Sequence, residues 1–282
     1  MFLSNRKYAA AAIWGLCALA AAGEGGGDKR GHTLFRPTPR ERMRPLSTDR
    51  PDATESPYTV DAGHFQVEAD LAAYLRDAAR EDGTNVRGWG FAITNVKAGL
   101  TNRVDLQLIF ETYRRETTTA PGAESTAEGF GDLTLRGKLN LLGNDGGETA
   151  FALLPFVKFP TAANGLGNGD LEGGVALPLA VELPWELGLG TQLEIEALRD
   201  DADEGYDLGL GATLAVGRDI RGSLGGFVEV AARWQAGDFT GTFNAGLTLG
   251  IGEDLQLDAA AYLGLNRAAE DLVVFVGISW RY

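Results

Sequence analysis

From His64 to the C-terminus the chain alternates apolar and polar residues in stretches of strand length, separated by glycine-rich or charged breaks. In HFQVEADLAAYLR, Phe65, Val67, Ala69, Leu71, Ala73 and Leu75 fall on one face. His64, Gln66, Glu68, Asp70 and Arg76 fall on the other. Successive side chains of a strand point to opposite faces, so this period predicts a strand with one apolar and one polar side. WGFAITNVKAGL predicts a second strand, blurred around Thr94 to Val96, where a bulge would shift its phase. VDLQLIFETYR sets Val104, Leu106, Leu108 and Phe110 against Asp105, Gln107 and Glu111. DLTLRGKLNLL sets Leu133, Leu135, Leu139 and Leu141 against Asp132, Arg136, Lys138 and Asn140. Further stretches follow, ending in DLVVFVGISWRY, for about twelve strands and no convincing amphipathic helix.

The breaks alternate too. TNR, GNDGGE, PWE, GRDIRG and GED are short turns, while the intervening links are mostly longer or more acidic, an alternation that weakens towards the C-terminus. Short turns at one end and longer loops at the other fit an outer-membrane barrel, with both termini on the short-turn, periplasmic side. The last strand carries Val274, Val276, Ile278, Trp280 and Tyr282 on one face. It ends on an aromatic residue and includes Gly277, a pattern like the signal by which the barrel-assembly machinery recognises its substrates. Phe275 stands where that pattern usually has a polar residue. The N-terminus points the same way. Arg6 and Lys7 precede a short apolar run ending in small residues, which predicts a signal peptide over residues 1–22, cleaved after Ala20 or Ala22. The run is short for a membrane anchor, and Leu16 before Cys17 disfavours a lipoprotein signal. Alternation alone fits a soluble β-protein as well; export, loop pattern and aromatic terminus favour the membrane. The expected fold is all-β: a transmembrane antiparallel up-and-down β-barrel over residues 64–282, in the bacterial outer membrane. A flexible leader is expected over 23–46.

Composition narrows the function. The 282-residue chain carries 39 acidic and 25 basic residues, which argues against a nucleic-acid surface. Its single cysteine, Cys17, excludes an intrachain disulfide, and His32 and His64 are its two histidines. No serine neighbours His64 in sequence, so neither a barrel lipase nor a barrel protease is expected. The acidic run RDDADEGYD over residues 199–207 offers oxygen ligands for Ca²⁺ or Mg²⁺, but its spacing is not that of an EF-hand, and a solvated loop is the preferred reading. No catalytic residue, metal or cofactor is expected.

STDRPDATESPYTVDAGHFQVE, AGLTNRVDLQL, GFGDLTLRGKLNLLGNDGG, LLPFVKFPT, EGGVALPLAVELP and the closing SWRY occur in order along most of the mature chain. In these stretches the sequence resembles a family of outer-membrane transporters named for the MetA (meta) pathway of phenol degradation. The resemblance implies an outer-membrane barrel that passes small molecules, hydrophobic or aromatic ones among them. It implies no catalytic motif.

If the apolar faces meet lipid, the polar faces line a lumen. Glu68, Asp70, Asp105, Glu111, Glu194, Glu196 and Glu229 then supply negative charge, and Arg136, Lys138 and Arg233 positive charge. Asp132, Glu182, Asp258, Arg76, Lys158 and Arg281 are expected to point the same way. Most of these should pair with one another, and the acid excess predicts a lumen that favours cations. About twelve strands at roughly 4.8 Å spacing and about 40° tilt give a backbone diameter near 24 Å, and a bore on the order of 10 Å or less. Residues 47–63 are polar and proline-rich and lead straight into the first strand. Asp49, Arg50, Asp52 and Glu55 would meet lumen charges if this segment sat in the periplasmic mouth as a plug or gate, with Pro51 and Pro57 keeping it extended. The alternative is a linker. The chain therefore reads as a passive small-molecule channel, with a non-conducting structural or surface-binding barrel as the alternative. Its expected partners are outer-membrane lipid and lipopolysaccharide, the barrel-assembly machinery through the C-terminal strand, and a small-molecule solute.

Overall fold

The computed structural model describes residues 29–78, 83–163, 165–167, 169–199 and 205–282. The expected signal peptide lies outside these residues, as does most of the acidic run at 199–207. Strands alternate with turns as the period-two pattern requires. They are β1 (Phe65–Asp77), β2 (Asn85–Thr101), β3 (Val104–Ala120), β4 (Ala123–Gly129), β5 (Leu133–Leu142), β6 (Thr149–Phe159) and β7 (Glu172–Leu183). After them come β8 (Leu187–Arg199), β9 (Tyr206–Arg221), β10 (Leu224–Gln235), β11 (Asp238–Ile251), β12 (Leu255–Gly264) and β13 (Leu272–Arg281). Neighbours pair antiparallel, and β1 bonds both β2 and β13, so the sheet closes on itself. β3 pairs with β4 along its C-terminal part and with β5 along its N-terminal part, so β4 and β5 form one stave of a twelve-stranded barrel. Closure removes the unpaired edges that a membrane would not tolerate.

The burial pattern is that of a soluble protein turned inside out. Leu106, Leu108, Leu135, Leu193, Leu210, Val228 and Val276 are exposed, whereas Asp105, Gln107, Arg136, Lys138, Glu229 and Asp258 are buried. Apolar side chains clothe the outside and charges fill the inside. Aromatic residues mark both rims. Tyr74, Trp89, Phe91 and Tyr113 form a chain across β1, β2 and β3, with successive ring centroids 4.7, 6.4 and 6.3 Å apart. At the other end of β1, Phe65 stacks on Tyr282 at 5.8 Å, and Tyr282 on Trp280 at 5.4 Å. From Phe65 to Tyr74 is roughly 30 Å along the strand, or about 23 Å along the normal at a tilt of ~40°, close to the apolar band of an outer-membrane barrel.

Two expectations change. The phase shift in β2 lies at Ala92, not at Thr94 to Val96: Ala92 has φ 51° and no pairing partner in β1 or β3. N-terminal to it Val86, Gly88 and Gly90 are buried; C-terminal to it Asn95, Lys97 and Gly99 are. β1 shifts beside it, between Asp70 and Ala72. Beyond that bulge the inward face changes parity, so Asp77 is buried and Arg76 is exposed, contrary to the expected inward Arg76. One extra residue in a strand turns every later side chain to the opposite face.

Residues 29–46 also depart from the flexible leader expected of them. Thr33 and Arg36 bond each other across a tight turn, and Leu34 N–H donates to Leu100 O at 2.8 Å, beside the end of β2. Thr38 N–H donates to Ala62 O at 2.9 Å, and a single helical turn follows at Arg40–Arg42. Lys29 and Arg44 both reach Asp61, at 3.3 and 3.4 Å, and Arg44 N–H bonds the same carboxylate at 2.8 Å. The arm has no apolar periodicity because charge pairs, not a buried face, hold it at the mouth.

Candidate functional site

Residues 47–63 form neither helix nor strand; they run inside the barrel, hydrogen-bonded to its inward side chains. Thr48, Asp49, Arg50, Asp52, Ala53 and Thr54 are wholly buried. The segment bends through residues 51–54, so it does not keep the extended course expected at Pro51.

Its charges meet opposite charges on β1, β2, β5 and β12. Asp49 Oδ1 accepts from Lys138 Nζ at 2.6 Å and from Ser56 N–H at 3.1 Å. Its Oδ2 accepts from Arg136 Nη2 at 3.2 Å and from Lys97 Nζ. Asp49 N–H in turn donates to Glu68, at 3.0 Å to Oε2, and Lys97 also contacts Glu68. Burial alone would raise the Asp49 carboxyl, but Lys138, Lys97 and Arg136 hold it well below the usual carboxylate range. Arg50 turns to the adjoining stretch of wall, on β1 and β12. It forks onto Asp258 through Nε at 3.1 Å and Nη2 at 2.6 Å, and its Nη1 donates to Asp70 at 2.5 Å. Burial opposes the Arg50 charge, but Asp70 and Asp258 more than offset this and raise its pKa. The guanidinium lies 5.3 Å from the Phe275 ring centroid. Gly277 makes room for it, since a Cβ there would collide with Arg50 Nη2.

Further along, Tyr262 OH donates to Pro51 O at 2.8 Å. Glu229 accepts from Ala53 N–H at 2.8 Å and from Thr54 Oγ1 at 2.6 Å. Glu55 contacts Arg136, and its N–H donates to Gln192 Oε1 at 3.0 Å. Burial pushes the Glu55 carboxyl up to about 8 against the pull of Arg136, and burial reinforced by Glu229 raises Asp52 well above its usual range. Asn140 Nδ2 donates to Pro57 O at 2.9 Å, and Val60 N–H to Asp105 Oδ2 at 3.0 Å. The segment thus bonds side chains of β1, β2, β3, β5, β8, β9, β10 and β12 without joining the sheet.

Of the candidates from sequence, Asp49, Arg50, Glu55, Glu68, Asp70, Asp105, Arg136, Lys138 and Glu229 meet in this network, and Asp52 is buried within it. Glu194 is one residue removed, bonded at 3.0 Å by the Gln192 side chain that also receives Glu55. Glu196 pairs with Arg233. Glu111 stands apart, nearer the far rim, 3.9 Å from Arg114. Lys97, Gln192 and Gly277 belong to the site and were not among the candidates; the Ala92 bulge disguises the phase that would have turned Lys97 inward. Phe275, anomalous in the terminal pattern, packs with Phe227 and Ala260 as an apolar patch on the lumen wall. His64 Nε2 lies 2.8 Å from Thr38 O, a contact that fastens the arm to the mouth. Among the described residues no group of three or more His, Cys, Asp or Glu side chains is arranged to hold a metal ion.

An outer membrane channel from Pseudomonas putida F1 superposes with a TM-score of 0.59 at 15% identity, over 83% of this chain and 99% of that one. The beta domain of the Bordetella autotransporter BrkA gives 0.51 at 14% identity, over 78% and 99%. At these identities the likeness is one of fold. No curated protein sequence matches. Residues 48–282 match the family described as "Putative MetA-pathway of phenol degradation", and the chain belongs to that family.

Proposed function

We propose that the protein is a passive small-molecule channel of the bacterial outer membrane, closed in this state by residues 47–63 acting as a plug and gate. The observation that carries the reading is a chain segment, buried from residue 48 to 57, that crosses a charged lumen on bonds to the inward side chains of the wall. A structural core of charges is an inefficient way to stabilise a barrel, since desolvating ion pairs offsets much of their attraction. A water-filled path needs such groups once the segment leaves. The likeness to a protein described as an outer membrane channel supports the reading. Phe227, Tyr262 and Phe275 beside the plug give the lumen an apolar face among its charges, suited to small hydrophobic or aromatic solutes. On the wall, Glu68, Asp70, Glu194 and Glu229 keep the path acidic once the segment leaves, favouring cations over anions. The terminal strand is the handle for the barrel-assembly machinery, and the N-terminal run the export signal. No group in the network is disposed for catalysis.

The completeness of the burial favours a second reading, a barrel that never conducts. Planar-bilayer recording separates the two. The channel reading expects discrete openings of the intact protein and block by permeating solutes, with solute uptake into liposomes. Silence from both the intact protein and a variant lacking the segment supports the structural barrel.

A further inference from the structure

Beyond the bulges in β1 and β2, three arginines leave the barrel on its lipid side. Arg76 on β1, Arg87 on β2 and Arg115 on β3 are all exposed. Arg76 and Arg87 stand directly opposite each other in register, and Arg115 is opposite Trp89, two residues along from Arg87. Like charges facing across a strand pair repel. Among the described residues neither Arg76 nor Arg87 has an ion-pair partner, and Arg115 has only Glu128, at 3.7 Å with both side chains more than half exposed. Such a surface pair contributes little.

Arg76 lies two residues beyond Tyr74 and Arg87 two beyond Trp89, on the side away from the termini. At a tilt of ~40° the opposed pair sits roughly 5 Å above these rings, where acyl chains give way to headgroups, and Arg115 flanks it beside Trp89. The chain has a formal net charge of −14, and its far rim is rich in acid, so a basic patch here is not a general property of the surface.

We infer that Arg76, Arg87 and Arg115 form a site for a phosphate of an outer-leaflet phosphoglycolipid of the lipid A type. A phosphate between the two opposed guanidiniums converts repulsion into a pair of forked, charge-assisted bonds. The aromatic rings below take the sugar–acyl boundary, and the exposed leucines of the wall take the chains. Pointing outward, the patch has no part in the lumen path.

The test uses the full-length barrel, Arg76→Gln, Arg87→Gln, their double variant, and Arg218→Gln as a control whose exposed arginine lies at the opposite end. Lipid A is titrated against each in zwitterionic detergent and its retention read by native mass spectrometry. Dephosphorylated lipid A and phosphatidylglycerol serve as comparison lipids, and inorganic phosphate as a competitor. Each substitution should weaken lipid A binding by about fivefold and the double variant by about 25-fold, from the ~1 kcal/mol per basic residue expected at an anionic surface. Arg218→Gln and the dephosphorylated lipid should show no such contrast. Thermal melts supply a sign. Without lipid A, removing Arg76 relieves repulsion and raises Tm; with lipid A, it lowers Tm relative to wild type. Equal binding to wild type and double variant overturns the inference, as does equal retention of phosphatidylglycerol, displacement by inorganic phosphate alone, or a Tm order that fails to invert.

Discussion

Asp49→Asn removes one charge from the centre of the plug while keeping its volume. Asp49 is the only carboxylate paired with Lys138 among the described residues, and it shares Lys97 with Glu68 and Arg136 with Glu55. The substitution therefore leaves the buried Lys138 with neutral acceptors alone, Tyr58 O at 3.2 Å and the new amide oxygen, and no compensating charge. Removing one partner of a buried ion pair costs about 3–5 kcal/mol, because the remaining charge is left uncompensated. That cost falls on the closed state, in which Asp49 is wholly buried, and not on a state in which water reaches the three cations. At about 1.4 kcal/mol per factor of ten, the open-to-closed ratio should rise by at least roughly a hundredfold. The assay is single-channel recording in planar bilayers at fixed pH, comparing dwell times. Asp145→Asn, at the mouth and about a third exposed, is the control and should change the ratio by less than about tenfold. An Asp49→Asn ratio equal to wild type would refute the reasoning, since the buried cluster would then contribute nothing to the difference between the two states.

Gating should depend on pH through Glu55. Its pKa is about 8 in the closed state and near 4.5 when solvated, so the closed state holds more protons across that window. Closure is therefore fully favoured below the window and weakened as pH rises through it: openings should be more frequent at pH 9 than at pH 5, and Glu55→Gln should flatten the profile. Asp49 works in the opposite direction, but its depressed pKa confines its loss to strongly acidic solution, below the usual carboxylate range. Gly277→Ala places a Cβ against Arg50 Nη2 and 2.7 Å from Ala69 O; overpacking of this kind costs about 1–3 kcal/mol, read as a raised open-to-closed ratio with Arg50 displaced. Tyr262→Phe deletes the 2.8 Å bond to Pro51 O and should raise the ratio by roughly fivefold, the equivalent of about 1 kcal/mol.

How much of this was legible in the sequence differs by element. The strands were, because lipid outside and charge inside impose a period of two that VDLQLIF and LTLRGKLNLL display without interruption. The bulge at Ala92 was blurred because AITN has no strong alternation, and a φ of 51° at an alanine leaves no mark in residue type. From that miss follows the overlooked Lys97, and Arg76 is turned the wrong way by the matching shift in β1 between Asp70 and Ala72, equally unmarked in residue type. The partners of the plug were suggested only as a class. Arg50 and Asp258 are 208 residues apart, and nothing local distinguishes an arginine that crosses a lumen from one in water. Gly277 had an evident reading within the terminal pattern; its seat for Arg50 appears only when β13 is placed beside the plug. The arm at 29–46 looked unstructured because its order comes from Asp61 and Ala62, far along the chain.

The most direct test of a channel closed by its own chain is the conductance of the barrel lacking residues 47–57, recorded beside the intact protein in the same bilayers. The account predicts a large, steady conductance from the deleted form, with a lower Tm, where the intact protein is mostly closed. Equal conductance and equal Tm would contradict it and return the segment to the role of a linker.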